Sequence, residues 1–309
     1  MVARVEAYLN ARRKLGFQLR IEGGELLRFA RYADSSGHRG ALTTDLALRW
    51  AQEAKSATAL YRARRLEVVG CFAKHQAAFD PDTEVPPKGL LGPAHRRTQP
   101  YIFTQAEITK LMRAALQLPP RHGLRGQTYE VLIGLLACTG LRISEALQLR
   151  RADVDLVAGV LSIRLTKFRK SRLVPIHAST QAQLRRYLDR RDAVASPSAG
   201  TALFACKAGR ALPYTTVRTT LRKLIDEVIP PDTYRSRRPR IHDLRHTFAC
   251  RCLLRWYQEG VNVDQRMPAL STYLGHAKVS DTYWYLTGVP ELMAIAAARF
   301  ERFGRARAQ

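Results

Sequence analysis

The sequence predicts a mainly α-helical protein with one small antiparallel β-sheet, an α+β chain in two parts. Three observations carry this. Apolar residues recur at the helix period through residues 2–78 and again beyond 103. Between them, Pro81, Pro86, Pro87, Gly89, Gly92, Pro93 and Pro100 break regular structure. At 160–176 the period falls to two, the signature of strands. The expected organisation is a helical domain over 1–80, a basic Pro/Gly-rich linker over 81–102 and a second domain over 103–309.

In the first domain, Val5, Tyr8, Leu9 and Arg12 define a helix that Gly16 stops. A second helix is predicted from Ile21 to Ala33, on the stripe of Leu26, Leu27, Phe29 and Ala30. Thr43 and Thr44 offer an N-cap to a third, through Leu48 and Trp50. A fourth, Thr58 to Ala77, carries Arg62, Arg64 and Arg65, which suit either a phosphate backbone or a solvated helix face. The linker adds Lys88, Arg96 and Arg97.

The second domain opens on Thr104 and Glu107, a capping box for a helix to Leu116. Gln127 to Cys138 forms an apolar helix that Thr139-Gly140 ends, and the next helix starts at Leu141-Arg142. Val160 to Leu165 and Arg172 to Ile176 read as a hairpin with Lys167 at its tip. Helices are expected at 180–194 and 215–228, with an extended piece at 202–205 between them. The basic run Arg235-Ser236-Arg237-Arg238-Pro239-Arg240 reads as a loop, for which reaching DNA and being disordered are equal alternatives. Further helices are expected from His242 to Glu259, from Pro268 to Gly275, and amphipathically from Pro290 to Arg302.

Lys and Arg number 51 against 26 Asp and Glu, a net charge of +25 and a sequence pI near 10.6. That balance favours a polyanionic partner, nucleic acid first. No apolar run approaches the roughly 20 residues a bilayer span needs, no basic amphipathic helix suits a membrane surface, and the first residues lack the apolar core of a secretory signal. The five cysteines, Cys71, Cys138, Cys206, Cys250 and Cys252, are odd in number and sparse, which fits a reducing cytoplasm. His242, His246 and Cys250 follow one another at i, i+4, i+8 with Cys252 nearby. No fourth ligand stands at standard spacing, so a metal is not expected.

The richest stretch runs from His242 to Tyr285. Breaking a phosphodiester without a metal gathers negative charge on two non-bridging oxygens, and an arginine fork donates paired charge-assisted hydrogen bonds to such oxygens. A tyrosine can attack and leave a covalent intermediate, provided positive charge stabilises its phenolate. A protonated group must meet the departing 5′-oxygen. Arg142 and Arg245 offer two forks, with Arg245 at i+3 from His242. Lys167 offers a proton, His276 follows a glycine, and Tyr285 lies nine residues beyond it.

These residues stand in motifs that resemble the tyrosine recombinases, the phage-type integrases. The first is Thr139-Gly140-Leu141-Arg142-Ile143-Ser144-Glu145-Ala146-Leu147, the second His242-Asp243-Leu244-Arg245-His246-Thr247, the third Leu274-Gly275-His276 with Tyr285 at the family spacing. The hairpin Thr166 to Pro175 looks like the family's lysine-bearing hairpin. The ordered set is far more specific than any one motif.

The resemblance implies a helical core-binding domain followed by a recombinase catalytic domain, and an enzyme that cuts and rejoins DNA through a 3′-phosphotyrosine. It implies that Arg142 and Arg245 clamp the scissile phosphate, with Glu145 in support. Lys167 would be the general acid, His242 would assist proton transfer at the tyrosine, His276 would hydrogen-bond the phosphate and Tyr285 would attack. DNA contacts would come from Arg62, Arg64, Arg65, Arg96, Arg97, Lys170, Arg237 and Arg238. No metal, ATP or other cofactor is implied. The partner would be a double-stranded recombination site held by a homotetramer on two duplexes, the free protein being a monomer or weak dimer. The setting would be the bacterial cytoplasm, acting at the nucleoid and serving a mobile element by integration or transposition.

Two features depart from the family pattern. Val261 to Tyr273 is longer than the compact form, and Thr282-Tyr283-Trp284-Tyr285 holds two tyrosines, of which spacing favours Tyr285. Lys170 competes with Lys167. No arm-binding domain precedes the helical module, so long arm-type sites are not expected. A type IB topoisomerase shares the chemistry, but His242 in the second motif points to recombinases. A DNA-binding protein that no longer cleaves is disfavoured because all six positions are filled.

Overall fold

The computed structural model describes residues 1–54, 56–95, 98–121, 123–164, 171–194, 200–206, 210–234 and 237–287, with Ala297 and Glu301. Lys167, Lys170, Arg96, Arg97 and nearly all of the expected helix at 290–302 fall outside these residues. The chain divides into two compact units, Met1–Thr98 and Gln99–Gln309.

The first unit is a bundle of α1 (Val2–Lys14), α2 (Arg20–Ser35), α3 (Thr44–Glu53) and α4 (Ala59–Gln76). Thr43 Oγ1 accepts from Leu46 N–H at 3.2 Å and Thr58 Oγ1 from Tyr61 N–H at 3.3 Å, so two helices start where a side-chain cap satisfies an orphan donor. Val5, Leu9, Leu26, Phe29, Leu46, Trp50, Val69 and Phe72 fill the core. Phe29 meets Trp50 edge to face at 5.4 Å.

Two expectations change here. Arg65 is not offered to a phosphate backbone. It is buried, its guanidinium lies 3.8 Å from the Trp50 ring centroid, and Glu25 stands 3.8 Å from its Nε. A cation on an indole face beside a buried carboxylate holds the bundle together. Arg62 bonds the Ala57 carbonyl, and Arg64 is exposed. The first half of the expected linker is not free chain either. Glu84 N–H bonds the Leu42 carbonyl, Glu84 Oε2 accepts from Thr44 N–H, and Val85 and Leu91 pack on the helical core.

The second unit begins with α5 (Gln105–Leu116) and α6 (Leu124–Thr139). Both halves of the Thr104–Glu107 capping box form. The short α7 (Ile143–Gln148) leads to a three-stranded antiparallel sheet of β1 (Val154–Asp155), β2 (Val160–Ile163) and β3 (Arg172–Pro175), in that order. In the β2–β3 register Leu161 faces Val174 and Ile163 faces Arg172. Leu161, Ile163 and Val174 point into the core, as the alternation predicted. β1 escaped sequence reading because two residues carry no period. The extended piece at 202–205 forms only isolated bridges, Arg150 with Ala202 and Ala205 with Ala211.

Then come α8 (Ala178–Val194), α9 (Tyr214–Val228), α10 (His242–Gln258), α11 (Val263–Leu274) and α12 (Ser280–Tyr283), the last running into a 3₁₀ turn, Trp284–Thr287. α11 does not start at Pro268. Asn262 caps it through Gln265 N–H at 3.3 Å, and Pro268 sits inside, giving up one bond to the Asp264 carbonyl. The main core lies between α5, α6, α8, α9 and the sheet. A second cluster, with Leu253, Met267, Leu270, Leu274 and Tyr285, lies under α10–α12. Among the described residues, no helix is long and apolar enough to cross a membrane.

Candidate active site

Two helix ends build the site. α6 ends at Gly140 and α11 at Gly275, both left-handed, with φ of +62° and +69°. A Cβ at Gly140 would stand 2.5 Å from Phe248 Cδ1, and one at Gly275 would stand 2.7 Å from an Arg172 nitrogen. Both turns therefore need glycine for conformation and for space. Their carbonyls face inward and hold the two arginines.

Arg245 is 2% exposed. Its Nη1 donates to the Gly140 carbonyl at 2.8 Å and its Nη2 to the Leu274 carbonyl at 2.6 Å. Arg142, the N-cap residue of α7, donates from Nη2 to the Gly275 carbonyl at 2.9 Å and from Nη1 to Glu145 Oε1 at 2.8 Å. The three motifs are thus cross-linked through two guanidinium forks, by bonds that span 105, 133 and 29 residues. Each fork has five N–H donors and spends two on these anchors, leaving donors for an anionic ligand. Burial lowers the Arg245 guanidinium to about 10, with Tyr285 pulling it back up, so it stays charged at neutral pH.

Glu145 is the counterweight. It accepts from Arg142 N–H, Arg142 Nη1 and both terminal nitrogens of Arg172, at 2.8 to 3.1 Å. Burial pushes its carboxyl up, but the bonds from Arg172 and Arg142 outweigh that and hold it below the ordinary carboxylate range. Arg172 also donates from Nε to the Tyr273 carbonyl at 2.7 Å. It opens β3 at the foot of the hairpin, where no sequence pattern singles it out. Its only trace was an arginine two residues after Lys170.

Tyr285 is 4% exposed, and its hydroxyl interacts with Arg245. Burial raises the phenol, while Arg245 partly offsets it, so the group is protonated at rest. Its ring stacks on His276 at 5.9 Å and meets His246 edge to face at 5.3 Å. Tyr283, by contrast, is 39% exposed and donates to Asp264 at 3.2 Å, away from both arginines' anchors. In the sequence His246 stands in the second motif and in the i, i+4, i+8 set with His242 and Cys250, and neither gives it a place at the tyrosine. It sits in ring contact with His242 (4.9 Å), Trp284 (5.2 Å) and Tyr285, and its Nδ1 is buried with no hydrogen-bond partner among the described residues.

The basic loop before α10 behaves differently from expectation. Arg237 is not a free DNA contact. Both its terminal nitrogens bond the fully buried Asp243 carboxylate, at 3.0 and 2.6 Å, and Arg240 N–H adds a third bond at 2.7 Å. A buried carboxylate left unpaired is expensive, so Arg237 serves the start of α10. Arg238 pairs with Asp226. No group of three or more His, Cys, Asp or Glu suited to a metal occurs among the described residues.

Three histidines are held low: His246 and His276 in ring contact with Tyr285, and His242 in ring contact with His246. His242 keeps a solvent-exposed edge, yet partial desolvation, then Arg245, brings it to about 4. Burial and His242 bring His246 to about 3; burial and Arg245 bring His276 to about 4. An unfolded histidine titrates near 6.5. Between pH 6.5 and 4 the unfolded chain therefore binds protons the folded chain refuses, and stability must fall as pH falls through that window. Each proton refused by His246 or His276 is worth at most about 1.4 kcal/mol per pH unit, and solvent screening makes the contribution of the exposed His242 smaller. Urea unfolding of the free protein at pH 7.5, 6.0 and 5.0 should show this decline, with His246→Gln flattening it. Equal stability at the three pH values would refute the assignment.

The fold and the site define a class, a mainly helical protein with a small antiparallel sheet in which two anchored arginines stand beside a buried tyrosine. The model for the phage integrase family matches residues 102–289. The chain is 45% identical over 304 residues to the putative integrase/recombinase y4rB of Sinorhizobium fredii, covering 96% of each chain. It is 38% identical to y4rE of the same organism, covering 96% of this chain and 94% of that one. The chain belongs to the phage integrase family, the tyrosine recombinases, which are strand-exchange enzymes. Its fold resembles the Tn1549 transposon integrase in complex with a circular intermediate DNA, at a TM-score of 0.72 with 17% identity over 98% of both chains. It also resembles the XerH site-specific recombinase bound to a difH substrate, at 0.65 and 17% identity, over 91% of this chain and 78% of that one.

Proposed function

We propose that this protein is a site-specific recombinase that cleaves and rejoins DNA through a 3′-phosphotyrosine on Tyr285. One observation carries the reading furthest: Arg142 and Arg245, from separate helices, are anchored on the Gly140 and Gly275 turns beside the buried Tyr285 hydroxyl. The remaining guanidinium donors take the two non-bridging oxygens, where charge builds in the transition state. Glu145 and Arg172 hold Arg142 in place. His276 adds a donor to the phosphate, and His242 assists removal of the tyrosine proton. Lys167, in the sequence between β2 and β3, protonates the departing 5′-oxygen.

The bond energy is kept in the phosphotyrosine, so the reaction needs neither a metal nor ATP. The helical unit acts as the core-binding domain, with Arg62, Arg64, Arg96, Arg97, Lys170 and Arg238 as its and the catalytic unit's contacts to DNA. Two duplexes and four protomers form the working assembly. The relatives named as integrases, and the likeness to a transposon integrase, support a mobile element as its setting.

A nicked suicide duplex built from the DNA flanking the coding sequence tests this. A covalent adduct that survives denaturation should form in EDTA without nucleotide, and its phosphopeptide should map to Tyr285. Relaxation of plasmids lacking that DNA would favour a topoisomerase, and a phosphopeptide at another residue would overturn the site.

A further inference from the structure

His276 is fixed by its backbone but not yet by its ring. Its N–H closes the end of α11 on the Ser271 carbonyl at 3.0 Å, which settles the main chain and leaves the imidazole free to rotate. Two contacts decide the rest. One face stacks on Tyr285, and Nδ1 lies 2.7 Å from Thr282 Oγ1.

Thr282 is fully buried, at 0% exposure, on α12 three residues before the tyrosine. A helical threonine hydroxyl commonly turns back to a carbonyl three or four residues earlier. Here His276 is the one hydrogen-bond partner found for it among the described residues. A hydroxyl donates one proton, and a neutral imidazole accepts at one nitrogen. With the hydroxyl donating to Nδ1, the ring proton resides on Nε2. That nitrogen then presents a donor, within the field of Arg245 and Arg142. The opposite tautomer would present a lone pair to an anionic phosphate and repel it.

We propose that Thr282 is a positioning residue whose hydroxyl holds His276 in the Nε2–H tautomer against the Tyr285 ring. Thr282 and Tyr285 ride on one continuous helical stretch, α12 and its 3₁₀ turn. Seating that stretch therefore sets the nucleophile and the phosphate donor together. The partner of a histidine's second nitrogen selects its tautomer by the same rule in other catalytic centres. This proposal rests on the recombinase reading for its catalytic consequence, but its structural half stands alone.

The test has two arms. The first reads single-turnover adduct formation on the suicide duplex. Thr282→Val keeps the shape and removes the hydroxyl; it should slow cleavage about 10- to 100-fold, by analogy with the loss of partners that orient metal-bound histidines. Thr282→Ser restores the hydroxyl and should recover most of the rate. In a His276→Ala background, Thr282→Val should add little, because the two residues act as one unit. Wild-type rates in Thr282→Val, or an equal further loss in the His276→Ala background, would overturn the proposal.

The second arm reads the imidazole nitrogen shifts of His276 by NMR in the free wild-type protein. An Nε2–H tautomer that becomes mixed in Thr282→Val is expected; an Nδ1–H tautomer in the wild type would overturn the proposal, whether or not the variant folds. If the wild type forms no adduct on any duplex while the tautomer is as expected, the recombinase reading fails and the Thr282–His276 pairing survives.

Discussion

Tyr285→Phe is expected to form no covalent protein–DNA adduct, while Tyr283→Phe forms it at nearly the wild-type rate. The change at 285 removes one oxygen and keeps the ring. The contacts with His246 and His276 and the apolar packing under α10–α12 stay in place, so the variant should fold and bind DNA normally. What it loses is the oxygen that, in the proposed reaction, bonds phosphorus. Because burial holds the phenol above its ordinary value and Arg245 draws it down, the wild-type rate should also rise with pH above neutrality. Tyr283 is exposed and bonded to Asp264, and an exposed substitution shifts free energies by about 0.5 kcal/mol, so its rate should stay within about threefold. Denaturing gels of suicide-substrate reactions measure both variants. An adduct from Tyr285→Phe, or its loss from Tyr283→Phe, would reverse the assignment.

Arg245→Ala is expected to damage catalysis and stability together. The guanidinium occupies a site that is almost wholly buried, where it satisfies the carbonyls of Gly140 and Leu274. Truncation strands both acceptors, each at about 1–3 kcal/mol, so a loss of roughly 2–6 kcal/mol in unfolding free energy should follow. It also frees the Gly140 and Gly275 turns from each other and removes a transition-state donor, for which a 10²- to 10³-fold loss of rate is the usual scale. Arg245→Lys separates the two effects. An ammonium keeps the charge but cannot span two carbonyls and a phosphate with a planar fork, so catalysis should fall nearly as far while stability recovers in part. Urea unfolding and single-turnover cleavage of the two variants measure this. Wild-type stability in Arg245→Ala would show that the carbonyl anchors matter little.

The features legible in the sequence are those written locally. Periodicity placed the helices of both units, and the Thr104–Glu107 box, the Thr43 cap and the stop at Gly140 formed as read, because each depends on residues within one or two turns. The start of α11 was missed for the same reason in reverse. A proline is a strong local signal, and here the Asn262 cap six residues earlier overrode it.

The composition and order of the site motifs were likewise in the sequence: two arginines, a lysine hairpin, a histidine after a glycine turn, a tyrosine nine residues on. Their arrangement was not. Arg65 and Arg237 read as surface cations until the fold placed Trp50 against one and Asp243 beside the other. Arg172, His246 and Thr282 received no role at the site from the sequence because their meaning lies in partners across other elements or turns. The choice of Tyr285 over Tyr283, which spacing only favoured, became a difference between a buried hydroxyl beside Arg245 and an exposed one on Asp264. The contacts that join the site, Arg142 to Gly275 and Arg245 to Gly140, span 133 and 105 residues. Periodicity and capping act over a few residues and leave no mark of such pairs. The sequence by itself determined which groups the protein carries and the helices that bear them; only tertiary packing decided which of those groups meet, which are buried, and which carbonyls hold the two guanidinium forks at the tyrosine.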